Sequence, residues 1–273
     1  KPDDSYCRAA RGYSLRTLDR YEDALDDLRR AVTIEPDYAW AHVALAHVLL
    51  DIADLPAAHE HAVRGWELDA TQVWARGIEA FVKALLGDLP GARDAMQDAH
   101  ERDPEELNWT QLLADMHTAL GDRSGAQALY REVVERGSDA TVLDTIARVG
   151  WSHRWLGEHD KAVRMYQRAL SLGRRRPHYL RLDFALALLC GGQSELADHE
   201  YQRALRDIGG LSPIRVRGLL HVALYDLDLA IREMLRGEHA TADRVRQLLA
   251  DALATSQRSA GNAEPVPSVG ASA

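Results

Sequence analysis

The sequence of 273 residues has few lysines, cysteines and aromatic residues, and it contains no long hydrophobic run. Only Lys1, Lys83 and Lys161 are lysines among 33 basic residues, so almost all of the positive charge is arginine. Two cysteines, Cys7 and Cys190, are too few for a disulfide framework and suit a reducing compartment. Because no apolar stretch reaches the roughly 18 residues of a membrane span and no signal peptide opens the chain, we expect a cytoplasmic protein.

The charge balance is acidic, and recognised catalytic motifs are missing. Forty-two acidic residues against 33 basic ones give a net charge of -9, which argues against binding to nucleic acid or an anionic membrane. The sequence has no glycine-rich phosphate loop, no Gly-x-Ser-x-Gly elbow, no His-Glu-x-x-His and no Cys-x-x-Cys. His59 and His61 lie two apart in a predicted helix and therefore point to different sides. We predict that the chain is not an enzyme and has no cofactor and no metal site.

The dominant feature of the sequence is an internal repeat of about 34 residues. Small residues recur at this period, with slips of two and one residues in the last two units, at Ala24, Ala58, Ala92, Ala126, Ala162 and Ala197. Five residues before each of them is a turn position, occupied by Asp19, Ala53, Gly87, Gly121, Gly157 and Gly192. Apolar residues recur at three- and four-residue spacing on both sides of this turn, so each unit is predicted to form two helices.

This pattern resembles the tetratricopeptide repeat (TPR) family, whose 34-residue unit is a helix–turn–helix with small, Gly, aromatic, Ala and Pro signposts. The match is fullest at Gly157 and Ala162, followed by Tyr166 and Ala169. The resemblance implies an all-α fold, a right-handed superhelical α-solenoid of about seven repeats.

The phase of the repeat predicts where each part of the chain begins and ends. The predicted parts are the end of a preceding repeat at 1–4, six repeats at 5–205, a divergent terminal repeat or cap at 206–258 with a longer first helix, and a disordered tail at 259–273. Pro2 lies one period before Pro36, so we expect the chain to be the C-terminal part of a longer protein. A chance proline in a flexible terminus is the alternative. The Arg-rich, Lys-poor and Ala-rich composition indicates a bacterial genome of high GC content.

In TPR proteins the first helices of the repeats line a concave face that usually binds the partner. Two ladders fall on these helices, one at Tyr6, Trp40, Trp74 and Asn108, and one seven residues further on at Tyr13, His47, Phe81, Asp115 and Trp151. Residues seven apart share a helix face, so both ladders should line one groove. The predicted partner-binding residues are Tyr6, Tyr13, Trp40, His47, Asp51, Trp74, Phe81, Gln111, Asp115, Trp151, Arg154, Trp155 and Tyr179.

These assignments have alternatives. Each ring of the ladders can instead fill a contact between adjacent helix pairs, and we interpret Trp66 and Trp109, which lie off the ladders, as packing residues. The Lys, Arg and Asn clamp that some TPR proteins use for a peptide carboxylate is absent. One of its lines holds Ala9, Val43, Gly77, Gln111 and Ala147 here, and the aromatic ladder occupies the other. We therefore predict an interaction scaffold for a protein or peptide segment with apolar anchors and some basic character. A regulatory or sensor module for an effector domain upstream of residue 1 is the alternative.

Overall fold

The computed structural model of the chain describes residues 4–172, 178–235 and 240–261, which form fourteen α-helices and no strand. The helices are α1 (Ser5–Thr17), α2 (Tyr21–Ile34), α3 (Ala39–Asp51), α4 (Leu55–Leu68), α5 (Val73–Leu85), α6 (Leu89–Arg102), α7 (Leu107–Ala119), α8 (Arg123–Gly137), α9 (Leu143–Trp155), α10 (His159–Leu172), α11 (Tyr179–Cys190), α12 (Ser194–Ile208), α13 (Pro213–Glu233) and α14 (Ala240–Gly261). In this part of the chain, no helix combines the length and the hydropathy that are needed to cross a membrane.

Consecutive helices pack as seven pairs, from α1 with α2 to α13 with α14, which we number repeats 1 to 7. Repeats 1 to 6 stack by packing the second helix of one pair against the first helix of the next. Repeat 7 differs, because it contacts repeat 6 through α11 with α13 and α12 with α14. The stack confirms the all-α solenoid predicted from the 34-residue period.

The recurrent small residues lie in the tightest contacts of the stack. All six are buried, namely Ala24, Ala58, Ala92, Ala126, Ala162 and Ala197. The residues four positions later are buried as well, and they are Leu28, Ala62, Met96, Tyr130, Tyr166 and Tyr201. A methyl side chain lets two helices approach closely, and the residue one turn on, which is larger in every repeat except at Ala62, fills the space beside them. The period of the sequence therefore reflects the period of the core.

The turn between the two helices of a repeat requires a left-handed backbone. Gly87, Gly121, Gly157 and Gly192 have φ between 75° and 89°, which glycine adopts readily. Asp19 and Ala53 hold the same position in repeats 1 and 2 with φ of 58° and 57°, although a Cβ makes this conformation unfavourable. The turn geometry is thus kept even where the sequence lacks glycine.

Helix α13 is longer than the other first helices and reaches back to the beginning of the stack. Arg217 donates two hydrogen bonds of 3.0 and 2.8 Å to the carbonyl oxygen of Ile52, and Arg232 donates one of 3.2 Å to that of Ala119. These carbonyls belong to the C-terminal ends of α3 and α7, where cationic donors are favoured. Gly218 lies so close to α3 that an added Cβ would be 1.8 Å from a carbonyl oxygen of that helix. Helix α13 therefore spans the C-terminal ends of the first helices.

The two ends of the chain extend the description only in part. The Asp4 side chain accepts the backbone N–H of Tyr6 and caps α1. At the other end α14 continues to Gly261, so the first three residues of the predicted tail are helical. Residues 1–3 and 262–273, which hold the rest of the predicted preceding repeat and tail, lie outside the described residues.

Candidate binding site on the concave face

Aromatic rings from four consecutive first helices touch one another. The ring of Tyr13 lies 5.8 Å from that of Trp40 and 6.2 Å from that of His47, measured between centroids. His47 stacks on Trp74 at 5.8 Å, and Trp74 meets the edge of Trp109 at 4.7 Å. We call these five residues the aromatic row. Offset and edge-on contacts of this kind hold rings in fixed orientations, so the row is a rigid apolar surface.

Part of the aromatic row is open to solvent. Tyr13 is 37% exposed and Trp74 is 46% exposed, which is high for such large rings. Tyr6 at the start of α1 is 65% exposed, while Trp40 is half-buried between Tyr13 and Tyr38. Tyr6, Trp40 and Trp74 lie in the first turns of their helices, at the opposite edge from α13, whereas Tyr13 lies further along α1.

A cavity of about 540 Å³ lies between the aromatic row and α13, and the first helices of all seven repeats line it. Nine of the predicted binding residues are among the lining residues, namely Tyr13, His47, Asp51, Trp74, Phe81, Gln111, Asp115, Trp151 and Tyr179. Because each ladder places one residue per first helix on the same side, residues from distant parts of the sequence converge here. The cavity wall is therefore built jointly by all the repeats.

Arg154 and Trp155 do not lie on this surface, contrary to our expectation from the sequence. Arg154 is 0% exposed, and its guanidinium is held between the rings of Trp151 at 4.2 Å and Trp155 at 4.6 Å. Trp155 stacks on Tyr130 at 6.2 Å. Met234 beyond the end of α13 covers the guanidinium from 80 residues further along the chain. The two residues are therefore part of the packing beneath α13.

Trp109 was expected only to pack, and it both packs and lines the cavity. It is 1% exposed, yet its ring reaches the cavity wall and meets Trp74. The ring fits because Gly77 on the neighbouring helix has no side chain: an added Cβ would lie 2.2 Å from it. The sequence signal for this arrangement is Gly77, which lies one repeat before Gln111. Trp66, in contrast, packs outside the cavity beneath the guanidinium groups of Arg76 and Arg102, as expected.

Several polar groups of the cavity already have hydrogen-bond partners within the chain. Arg16 donates to Asp51 at 2.7 Å and to Nε2 of His47 at 2.8 Å. Burial lowers the pKa of His47 to about 4, so the ring is neutral and accepts this bond. Arg148 donates to the side-chain oxygens of Asn108 and Gln111.

Asp115 is a buried carboxylate with three donors around it. Trp151 donates from its indole N–H at 2.8 Å, Tyr130 from its hydroxyl at 2.6 Å and Gln111 from its amide at 2.9 Å. These bonds favour the charged form, but burial outweighs them and raises the pKa of Asp115 to about 6. This ladder position therefore holds a carboxylate whose protonation changes close to neutral pH.

Two further carboxylates, Asp183 on α11 and Asp226 on α13, also line the cavity. Among the described residues, neither has a hydrogen bond or an ion pair. Burial raises the pKa of Asp183 to about 7 and that of Asp226 well above its usual value. Sequence reasoning missed both. Asp183 holds the same repeat position as Arg148, which could have drawn attention to it, while Asp226 enters the cavity only through the crossing of α13.

Metal binding has no support in the described part of the chain, where no group of three or more His, Cys, Asp or Glu side chains is arranged to hold an ion. The cavity therefore offers aromatic surface, arginines that are already bonded, and carboxylates of which two have no partner among the described residues.

Comparison with known proteins agrees with the helix-pair stack. A TPR-repeat family model matches residues 12–52, and a tetratricopeptide-repeat model matches residues 142–176, which contain repeat 5. The fold is similar to that of TTC0263, a thermophilic TPR protein of Thermus thermophilus, with a TM-score of 0.57 and 21% identity over 68% of this chain and 99% of that chain. The chain contains tetratricopeptide repeats.

Other solved structures align over longer stretches of this chain at lower identity. The APC/C hetero-tetramer Cut9-Hcn1 is similar with a TM-score of 0.57 and 14% identity, covering 91% of this chain and 43% of that one. The pilF protein of Pseudomonas aeruginosa is similar with a TM-score of 0.50 and 15% identity, covering 76% and 92%. At these identities the likeness concerns the fold alone. A search among functionally characterised proteins gives no significant match.

The concave face of this stack carries aromatic rings and carboxylates. The line that holds basic residues in carboxylate-binding TPR proteins has Gly77, Gln111 and Ala147 in the cavity wall. The aromatic row and the carboxylates stand in place of a basic clamp, so a terminal carboxylate has no evident counter-charge on that line.

Proposed function

We propose that this TPR protein is an interaction scaffold that binds a segment of a partner protein on the open part of its aromatic row. The observation that carries the proposal is the contact of Tyr13, Trp40, His47 and Trp74 across three first helices, with Tyr13 and Trp74 more than one-third exposed. Rigid aromatic side chains give a large contact area at little entropic cost, and truncating such anchors usually weakens binding most.

The position of α13 limits how the partner can approach. Because this helix spans the C-terminal ends of α3 and α7, the open edge is that of the N-terminal ends, where Tyr6 and Trp74 are exposed. A partner segment would lie across this edge, with its apolar side chains on the rings. The acidic balance of the chain favours a segment with basic residues.

A random peptide library displayed on phage and selected against the wild-type chain tests this proposal. Selected peptides should bind the Tyr13→Ala and Trp74→Ala variants at least about tenfold more weakly, because each change removes an exposed ring. Trp66→Ala is the matched control, since it removes a ring outside the cavity. Thermal unfolding followed by circular dichroism identifies variants that remain folded.

The pattern across the three variants decides the outcome. If the folded Tyr13→Ala and Trp74→Ala variants bind the selected peptides as tightly as wild type, the aromatic row is not the binding surface. Loss of affinity in Trp66→Ala alone would move the surface to the second helices.

The partly open cavity supports a second candidate function, a sensor module that binds a small ligand. This candidate depends on which class of ligand the side chains of the cavity can bind.

A further inference from the structure

The cavity beneath α13 has the size of a small-molecule site. Its volume of about 540 Å³ lies within the range of roughly 300–1,000 Å³ that is usual for ligand pockets. Trp74, Trp109 and Trp151 contribute aromatic surface to its lining. Helix α13 bounds one side, while the rest of the cavity stays partly open to solvent.

Asp183 and Asp226 are the lining groups that most need a partner. They come from different helices, and in the described part of the chain neither has a hydrogen bond or an ion pair. Both side chains are half-buried in the cavity wall, and a carboxylate that is partly withdrawn from water without a counter-charge is costly. Side chains kept in this state, in a cavity, are characteristic of functional sites.

The cations that line the cavity are already engaged. Arg16 bonds to Asp51, and Arg148 bonds to the amide oxygens of Asn108 and Gln111. Arg215 donates at 2.9 Å to the backbone carbonyl of the last residue of α3. None of these arginines forms a bond to Asp183 or Asp226.

One internal cation lies nearby, and it does not balance the site. The guanidinium of Arg154 lies behind Trp151 and favours the charged forms of Asp115, Asp183 and Asp226. It therefore opposes, but does not cancel, the rise that burial causes in their pKa values. It therefore faces three carboxylates with one positive charge. In addition, Nε and Nη2 of Arg154 are buried without a hydrogen-bond partner. The arginines of the chain therefore do not neutralise these carboxylates, and a bound cation would supply the missing positive charge.

We propose that the cavity binds an organic cation, an alkylammonium or guanidinium group, with Asp183 and Asp226 as its counter-charge and the three tryptophans as its walls. Carboxylates with aromatic faces suit such ions, because the ring quadrupole attracts a desolvated cation while the carboxylates accept its N–H bonds. A metal ion would require more oxygen ligands at closer spacing, and the described residues offer no such group. The cation can come from a free amine or from a Lys or Arg side chain of a partner, and the chemistry is the same.

Calorimetric titration with defined probes tests the proposal. Agmatine and cadaverine represent free amines, acetyl-Gly-Arg-Gly-amide represents a partner side chain, and N,N′-diacetylcadaverine is the neutral control. We expect at least one cationic probe to bind at pH 7.5 at least tenfold more tightly than the neutral control. Asp183→Asn and Asp226→Asn should each weaken it about tenfold or more.

Asp243→Asn is the matched control variant, because Asp243 is an exposed residue of α14 that does not line the cavity. It makes the same change in net charge and should leave affinity unchanged. Binding of the amines but not of the peptide identifies a free ligand, and binding of the peptide identifies a partner side chain. The proposal is overturned if no cationic probe binds more tightly than the neutral control, or if the folded Asp183→Asn and Asp226→Asn variants bind as tightly as wild type.

The inference goes beyond partner binding by the aromatic row, and the two can fail separately. If phage-selected peptides need Tyr13 and Trp74 but bind the Asp183→Asn variant normally, and no cationic probe binds, the aromatic row is supported and the cation site is not. Cationic probes that need Asp183 when no peptide depends on the row give the opposite result.

Discussion

The buried charges on the concave face of this protein differ in how completely they are paired. Asp51 has Arg16 at 2.7 Å, and Asp115 accepts three hydrogen bonds. Asp183 has neither kind of partner among the described residues, and burial raises its pKa to about 7. The repulsion of Asp115 adds to this shift, while Arg154 opposes it. Asp183 and its neighbour Asp226 are therefore the carboxylates of the concave face with the least compensation from the rest of the chain.

Replacing Asp183 with Asn should stabilise the protein in a pH-dependent way. The unfolded chain releases this proton near pH 4 and the folded chain near pH 7, so wild-type stability is lost as the pH rises through this interval. Asn cannot ionise. We expect Asp183→Asn to raise the free energy of unfolding by about 1–2 kcal/mol at pH 8, with a gain that shrinks towards pH 4.

Urea unfolding at pH 8 and at pH 4.5 measures this difference, with Asp243→Asn as the exposed control. An equal effect at pH 8 and pH 4.5 would show that the carboxylate is not the cause. A gain at pH 8 together with loss of cation binding would indicate that the unpaired carboxylate is kept for function at the expense of stability.

The repeat period predicts side-chain placement at positions such as Tyr13 and Trp74, because each is one member of a series on equivalent helices. It fails at Arg154, three residues after Trp151, although this spacing should keep it on the same face. The cause is Met234, which covers the guanidinium from a distant part of the chain. A contact that occurs once in the molecule leaves no periodic signal in the sequence.

At the scale of the helices, the turns of repeats 1 and 2 lack the glycine that the other turns contain. Ala53 has φ of 57°, and Asp19 has φ of 58°. The helices on either side hold these residues in the left-handed region, although the conformation costs about 1 kcal/mol for a residue with a Cβ. The sequence predicted the position of these turns from their spacing, not from their composition.

Ala53→Gly should therefore stabilise the protein by a few tenths to about 1 kcal/mol, since the relieved backbone strain exceeds the added entropy of the unfolded chain. Gly121→Ala should have the opposite effect. An added Cβ at Gly121 meets no atom within 4 Å, so any loss there comes from the backbone alone. Thermal unfolding measures both changes. Ala57→Gly within α4 is the control and should destabilise; stabilisation by both Gly variants would contradict the argument.

The position of α13 is the least predictable feature among the helices. Its length follows from the sequence, and a divergent terminal repeat with a longer first helix was expected. Its course across the stack does not follow from the sequence. Arg217 bonds to the backbone carbonyl of Ile52, and because every residue has such a carbonyl, the sequence does not mark which one is bound. The sequence therefore predicts the cavity wall made by the ladders but not the wall made by α13.

At the scale of the whole molecule, contacts between distant repeats change the character of the solenoid. In an ordinary TPR array each repeat contacts only its neighbours, and stability is a sum of local terms. Here repeat 7 bonds to repeat 2 through Arg217 and to repeat 4 through Arg123 and Glu233, whose ion pair measures 3.3 Å. These contacts close the stack around the cavity, so repeat 7 is coupled directly to repeats 2 and 4.

Removing this closure should open the molecule and divide its unfolding. The double variant Arg215→Ala/Arg217→Ala loses three hydrogen bonds from charged donors to the carbonyls that end α3, which should cost about 2 kcal/mol or more. We expect a larger radius of gyration by small-angle X-ray scattering and a broader thermal transition, because the C-terminal repeats no longer support repeat 2. Arg203→Ala/Arg206→Ala on α12 removes the same charge from the outside of the stack and should leave both measurements unchanged. If the first variant is as compact and as cooperative as wild type, the bonds of α13 do not hold the stack closed, and the cavity must owe its shape to the packing of neighbouring repeats alone.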